Sequence, residues 1–277
     1  MMLVIEMLSF NASTIDREAL SKITNPYQIL PGGRSSFQAK DVATFIEGKN
    51  ENVLIHSSYI TRPFKEDISN VTRINLRNYA ELAKRIGTKD ILVHMPSNVL
   101  EYEEYAFGIN AIIEYVIKNG CVCHLETNPL SRELQTFLEM NRENAVSVYT
   151  SYTDSLLEII PTKYRDYFYV CVDTAHLFAN GFDGLSMIKY IDKYKHKVKY
   201  IHFNGNMNSM FTKDKHVPMY RLDNKIDNVD KLTSFCSSLK KILIVEDSTE
   251  KGSYDDWKAF CDKYKIRLVA FNDVYSI

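Results

Sequence analysis

The sequence predicts a single closed α/β barrel, the (β/α)8 or TIM arrangement, with residues 1–277 forming one domain. Three observations carry that expectation. Short apolar runs alternate with longer amphipathic stretches, the pattern of βα units on a parallel sheet. The 277 residues match one barrel, which typically needs about 250. Between the periodic segments lies no tract rich in Pro, Gly or Ser, no low-complexity segment and no repeated motif.

The strands expected in order are Leu3 to Leu8, Pro26 to Leu30, Val53 to His56, Ile91 to His94, Cys121 to Glu126, Tyr169 to Asp173, Lys199 to His202 and Ile242 to Glu246. A ninth run, "IRLVAF", reads as an extra short strand or part of a terminal connection. Among the intervening helices, "STIDREALSKI" opens on good N-cap residues. "NLRNYAELAKRIG" (Asn75 to Gly87) and "YAFGINAIIEYVIKNG" (Tyr105 to Gly120) both close on glycines suited to a helix C-cap. The start, "MMLVIEMLSF", lacks a basic head and carries Glu6, so it reads as the first strand and not as a signal peptide. No apolar stretch approaches the roughly 20 residues of a membrane span. An intracellular, non-membrane protein is expected.

The net charge of −1 argues against a broad basic surface for nucleic acid, but not against a small site made positive by bound metal. The basic run "KYKHKVKY" (Lys193 to Tyr200) precedes a strand, so it belongs on the rim opposite a barrel's active site, as a solvated face. The five cysteines (Cys121, Cys123, Cys171, Cys236 and Cys261) are scattered and mostly inside apolar runs. They read as reduced, buried thiols and not as a disulfide framework. Cys121 and Cys123 share a strand face, where packing explains them.

The chemistry gathers at the strand ends. "NVLIH" stops at His56, "DILVH" at His94 and "CVCHLE" at Glu126; "FYVCVD" stops at Asp173, "VKYIH" at His202 and "ILIVE" at Glu246. Barrel active sites are built from the C-terminal ends of strands, so these six side chains should converge. Buried carboxylates and imidazoles are costly without compensation, and cations compensate them. His176 follows Asp173 by three residues, and "KDKH" adds Asp214 and His216, whose alternate positions can aim both side chains the same way. The nine residues offer the mixed N/O donors that suit Zn²⁺, with Mn²⁺ or Fe²⁺ as alternatives, and they are about enough for three ions if one carboxylate bridges. His124 shares a face with Glu126 but lies one layer deeper, as a core histidine with its needs met, while His196 belongs to the basic run.

These residues resemble the endonuclease IV family of apurinic/apyrimidinic (AP) endonucleases over nearly the whole chain. "CVDTAHLFANGFD" is similar to that family's Asp-Thr-x-His-x-x-x-x-Gly-x-Asp signature, "YIHFN" to its His-Leu-Asn segment and "KDKH" to its Asp-Arg-His segment. "IHSSYI" and "VHMP" resemble its early histidine strands, and "LETN" and "VEDST" its glutamate strands. The resemblance implies three metal ions, usually zinc. His56, His94 and Glu126 would hold one; Glu126 as bridge, Asp173, His202 and Glu246 a second; His176, Asp214 and His216 the third. It implies hydrolysis of the DNA phosphodiester 5′ to an abasic site, leaving a 3′-hydroxyl, with repair of blocked 3′ ends as a side activity.

In that reaction Glu126 bridges, and Glu246 orients or deprotonates the nucleophile. Closely spaced ions fit the chemistry because they clamp the attacking and leaving oxygens of an in-line displacement. The partner implied is damaged double-stranded DNA, bent and with its abasic nucleotide flipped out. Arg34 and Tyr59 match the positions of family residues that insert into the duplex. A monomer is expected. The chain departs from the family at Gly205, where an aspartate is usual, and at "NPLSR", "EMLSFNAS" and "KDKHVPMY". None of these removes a metal donor; they bear on DNA contacts and lesion range. The rival reading is a divalent-metal sugar isomerase or epimerase on a related barrel, which would leave His176, Asp214 and His216 without a shared task.

Overall fold

The computed structural model describes residues 2–5, 7–10, 27–31, 53–58, 60–64, 69–245 and 254–270. The expected helix "STIDREALSKI", the DNA-contact candidates Arg34 and Tyr59, and Glu246 lie outside them. Ten strands form one sheet in which every adjacent pair is parallel, as alternating βα units require.

The sheet closes through the first strand. Its first half, Met2–Ile5, pairs with Ile242–Val245, and its second half, Met7–Phe10, pairs with Tyr27–Pro31. One N-terminal segment thus joins the last barrel strand to the second. Arg267–Ala270, the ninth run, adds a strand beside Met2–Ile5. The remaining strands are Val53–His56, Asp90–His94, Val122–Glu126, Phe168–Asp173 and Val198–His202.

Register sets the height of each strand end. His94 lies opposite Glu126, and Asp173 opposite His202. The second pairing depends on an irregularity. From the pair Val170 and Val198, the ladder advances two residues on one strand and three on the other to reach Val172 and Ile201. Without the extra residue Asp173 would face Ile201, and His202 would turn to the other side of the sheet, because side chains alternate along a strand. The bulge therefore brings the histidine to the carboxylate's level and face.

Helices cover the outside. Asn70–Ile86 begins five residues before the expected Asn75, because the Ser69 hydroxyl caps it by accepting from the Thr72 N–H. It ends where expected, on Gly87 at φ 83°, a left-handed conformation that glycine adopts without strain. The helix expected over Tyr105 to Gly120 runs instead as Tyr102–Tyr115, followed by a 3₁₀ turn, Ile117–Asn119, before Gly120 at φ 85°. Its start is fixed by a capping box between Glu101 and Glu104. Among the described residues no helix is long and apolar enough to cross a membrane.

All five cysteines are buried free thiols, and burial pushes Cys236 and Cys261 up to about 12, far from thiolate reactivity. His196 is exposed in the basic run, as expected. His124 is fully buried in a polar cluster at the opposite end of the barrel from the strand ends. Asp90 lies 2.8 Å from His124 Nε2 and accepts from Lys199 Nζ at 2.5 Å and the Tyr200 hydroxyl at 2.9 Å. Burial holds His124 below its ordinary range, so its neutral ring donates Nε2–H to the carboxylate. Burial would raise Asp90, but the hydrogen bonds from His124 and Lys199 outweigh it and hold the acid at about 2.

Both groups are depressed in the folded state, so the unfolded chain binds more protons on acidification. Stability from this cluster is therefore complete above about pH 6.5, the ordinary histidine value. The histidine's share is lost below that, and the carboxylate's between about pH 4 and about 2. Replacing Asp90 by Asn should strand its buried partners, lowering stability by roughly 2–4 kcal/mol. The corresponding drop in melting temperature is roughly 5–15 °C, and thermal unfolding followed at pH 7 checks it.

Candidate metal centre

Glu126 is the hub of the strand-end cluster. Its carboxylate is fully buried and meets four imidazoles. His56 Nε2 and His94 Nε2 lie 3.3 and 3.1 Å from Oε2, while His202 Nδ1 lies 2.7 Å and His176 Nδ1 3.7 Å from Oε1. Burial works against the charged carboxylate, yet the fields of His202 and His94 and the hydrogen bond with His202 hold it well below the ordinary range. Among the described residues the fully buried Oε2 is faced by the His56 and His94 ring nitrogens but makes no well-formed hydrogen bond. An acceptor in that state, faced by two ring nitrogens, suits a cation.

Asp173 ends its strand and also caps the helix Thr174–Ala179, its Oδ1 accepting from the His176 N–H at 2.9 Å. Oδ2 accepts from Asn204 Nδ2 at 2.8 Å and lies 3.7 Å from His202 Nδ1 and 3.8 Å from His216 Nε2. Asp214 Oδ2 lies 3.6 Å from His176 Nε2 and 3.1 Å from His216 Nε2. Asp214 and His216 reach the cluster because His216 and Val217 pair antiparallel with Asn206 and Gly205. The Asn206 side chain fastens that hairpin, its Oδ1 accepting from the Asn208 and Lys215 N–H groups.

Hydrogen bonds to the backbone decide which ring nitrogen two of the histidines present. His56 Nδ1 is 2.7 Å from the Ser57 carbonyl, leaving Nε2 toward Glu126. His176 Nδ1 is 2.7 Å from the Thr127 carbonyl, leaving Nε2 toward Asp214. A carbonyl can only accept, so each Nδ1 carries a proton and each Nε2 is the nitrogen turned to a carboxylate, the one a metal would take in place of a proton. The buried His176 loses hydration, which would lower it, but Asp173, Asp214 and Glu126 surround it and raise it to about 10. The same negative field that favours a proton there favours a metal cation.

Eight of the nine expected donors therefore converge. Among the described residues three sets have donor atoms within 4.8 Å of one another: His56, His94 and Glu126; Glu126, Asp173 and His202; and Asp173, His176 and His216. Each set could hold a metal ion. The first has the members of the expected grouping, and the second has three of the four expected, its fourth, Glu246, lying outside the described residues. The third includes Asp173 as well as the expected pair, with Asp214 beside both histidines. It is also the accessible side, since the His216 and Asp214 side chains are 17% and 25% exposed while Glu126 and Asp173 are sealed.

Sequence reading missed the residues that hold the donors. Thr127 accepts from the Asp173 N–H, and Asn204 binds its Oδ2. The Asn in "HFN" was in plain view as part of a motif, but its role needs the fold. The Gly205 departure also has a steric reason. A Cβ there would lie 2.8 Å from the Asn224 side chain and 3.0 Å from the Val217 carbonyl, so Asn224 takes the room a larger residue would need.

No protein-family model matches the chain, and no curated protein matches its sequence. Solved structures do match its fold. Endonuclease IV from Thermus thermophilus superposes with a TM-score of 0.64 at 16% identity, covering 95% of this chain and 97% of that one. A D-tagatose 3-epimerase-like protein gives 0.65 at 15% identity over 96% and 98%. A xylose isomerase domain protein from Planctomyces limnophilus gives 0.60 at 14% over 94% and 93%. The chain is thus an α/β barrel of the type shared by these three proteins. Fold alone does not choose between their chemistries.

Proposed function

We propose that the protein is a metal-dependent AP endonuclease that hydrolyses the DNA phosphodiester 5′ to an abasic site and leaves a 3′-hydroxyl. The observation carrying this reading is the third donor set, Asp173, His176 and His216, with Asp214 beside both histidines and with His216 and Asp214 partly exposed, next to the sealed Glu126 hub. A sugar isomerase needs one or two ions and has no task for that third set. Three divalent cations, zinc first, suit the donors, with Mn²⁺ or Fe²⁺ as alternatives. When bound, such ions supply Lewis acidity, a nucleophile near neutral pH and charge to balance phosphate oxygens.

The chain's own residues do the rest. Glu126 belongs to the first two donor sets, with its oxygens directed to different histidines, and so would serve both ions when they are bound. Asp173 keeps one oxygen on the helix cap and offers the other to the second and third sets. His176, His216 and Asp214 form the side nearest solvent, where a scissile phosphate enters. Glu246 is assigned the orientation or deprotonation of the nucleophile, and Arg34 and Tyr59 the contacts to the bent duplex. With a net charge of only −1, the attraction for DNA comes chiefly from the ions and from local side chains.

The test is a duplex oligonucleotide with a single abasic analogue. A nick on its 5′ side, leaving a 3′-hydroxyl and stopped by a strong chelator, is the expected outcome. Cleavage on the 3′ side with an unsaturated sugar would mark a lyase and overturn the proposal. Turnover of a ketose, with no nick, would favour the epimerase reading.

A further inference from the structure

Gln28 is fully buried on the strand Tyr27–Pro31, the second of the barrel, where a polar side chain needs a reason. Its Oε1 lies 2.9 Å from His202 Nε2. The other nitrogen of the same ring, Nδ1, points to Glu126 Oε1 at 2.7 Å and Asp173 Oδ2 at 3.7 Å. A side-chain carbonyl oxygen only accepts, so Nε2 carries a proton toward Gln28, and Nδ1 is the nitrogen turned to the two carboxylates, the one a cation held between them would take. Backbone carbonyls fix the rings of His56 and His176; for His202 a glutamine from a different strand takes that part.

We propose that Gln28 is the positioning residue of the Glu126, Asp173 and His202 metal set. It fixes the tautomer and ring orientation of His202, and so makes Nδ1 the ligand atom. This rests on the metal-site reading above but not on the DNA substrate. Partners of this kind matter because a ligand imidazole free to rotate or to protonate at the wrong nitrogen binds weakly; losing one typically lowers metal affinity about 10–100-fold.

The experiment compares zinc-loaded wild type with Gln28→Leu, which keeps the bulk and removes the acceptor, and Gln28→Glu, which keeps an acceptor. Chelator competition should show one zinc equivalent of Gln28→Leu weakened about 10–100-fold, with the others unchanged and Gln28→Glu near wild type. Spectra of ¹⁵N-histidine-labelled, zinc-loaded wild type should show His202 with zinc at Nδ1 and the proton at Nε2. Unchanged zinc affinity in Gln28→Leu overturns the proposal, as does a wild-type His202 with its proton at Nδ1. The second result judges the idea even if Gln28→Leu fails to fold. Failure of the nicking assay alongside the expected zinc and tautomer results would sink the nuclease reading and leave the role of Gln28 standing.

Discussion

Glu126→Gln should abolish catalysis and empty two of the three donor sets, because one carboxylate serves both. Its oxygens face His56 and His94 on one side and His202 on the other. A neutral amide keeps the size but offers one weaker acceptor where two anionic oxygens stood. Loss of several kcal/mol of charge stabilisation corresponds to a fall in turnover of roughly a thousandfold or more. The fold should survive, because the barrel core around the site is apolar and closely packed, with Leu125, Val172 and Ile201 fully buried. Circular dichroism, zinc content and nicking rate on one preparation check all three points. A Glu126→Gln protein that retained full zinc and full activity would contradict the bridging role.

His216→Ala should lower turnover by about 10²–10³-fold, the range for removing one group that stabilises developing charge. It should remove a single zinc equivalent. His216 sits in a two-residue strand at the accessible edge and lies 3.1 Å from Asp214 and 3.8 Å from Asp173. Its loss leaves the Glu126 sets intact, so the two variants separate by metal count as well as by rate. Near-normal nicking by His216→Ala would remove the third set from the mechanism.

Which residues were legible beforehand follows from what each depends on. His56, His94, Glu126, Asp173 and His202 each end an apolar run, and the rule that barrel sites sit at strand ends turns that pattern into a location. His124 was separable from Glu126 because two residues along a strand is one layer of depth, and its partner Asp90 begins the neighbouring strand. The bulge beside Val198–His202 was not legible, since no side-chain pattern announces an extra residue in a ladder. Gln28 was not legible either: a lone glutamine in an apolar run acquires meaning only when a strand from the other side of the barrel presents His202. The early start of Asn70–Ile86 was hidden because Ser69 precedes a polar and β-branched turn, "NVTR", that shows little apolar periodicity.

Widely separated acids and imidazoles converging to hold a cluster of cations is the claim on which the rest depends. It is tested most directly by metal analysis of the purified chain after zinc loading and removal of loosely bound metal, paired with native mass spectrometry. About three zinc ions per chain are expected, falling to about two in His216→Ala. A wild-type chain that is folded and retains no divalent metal, or only one ion unaffected by either substitution, would contradict it.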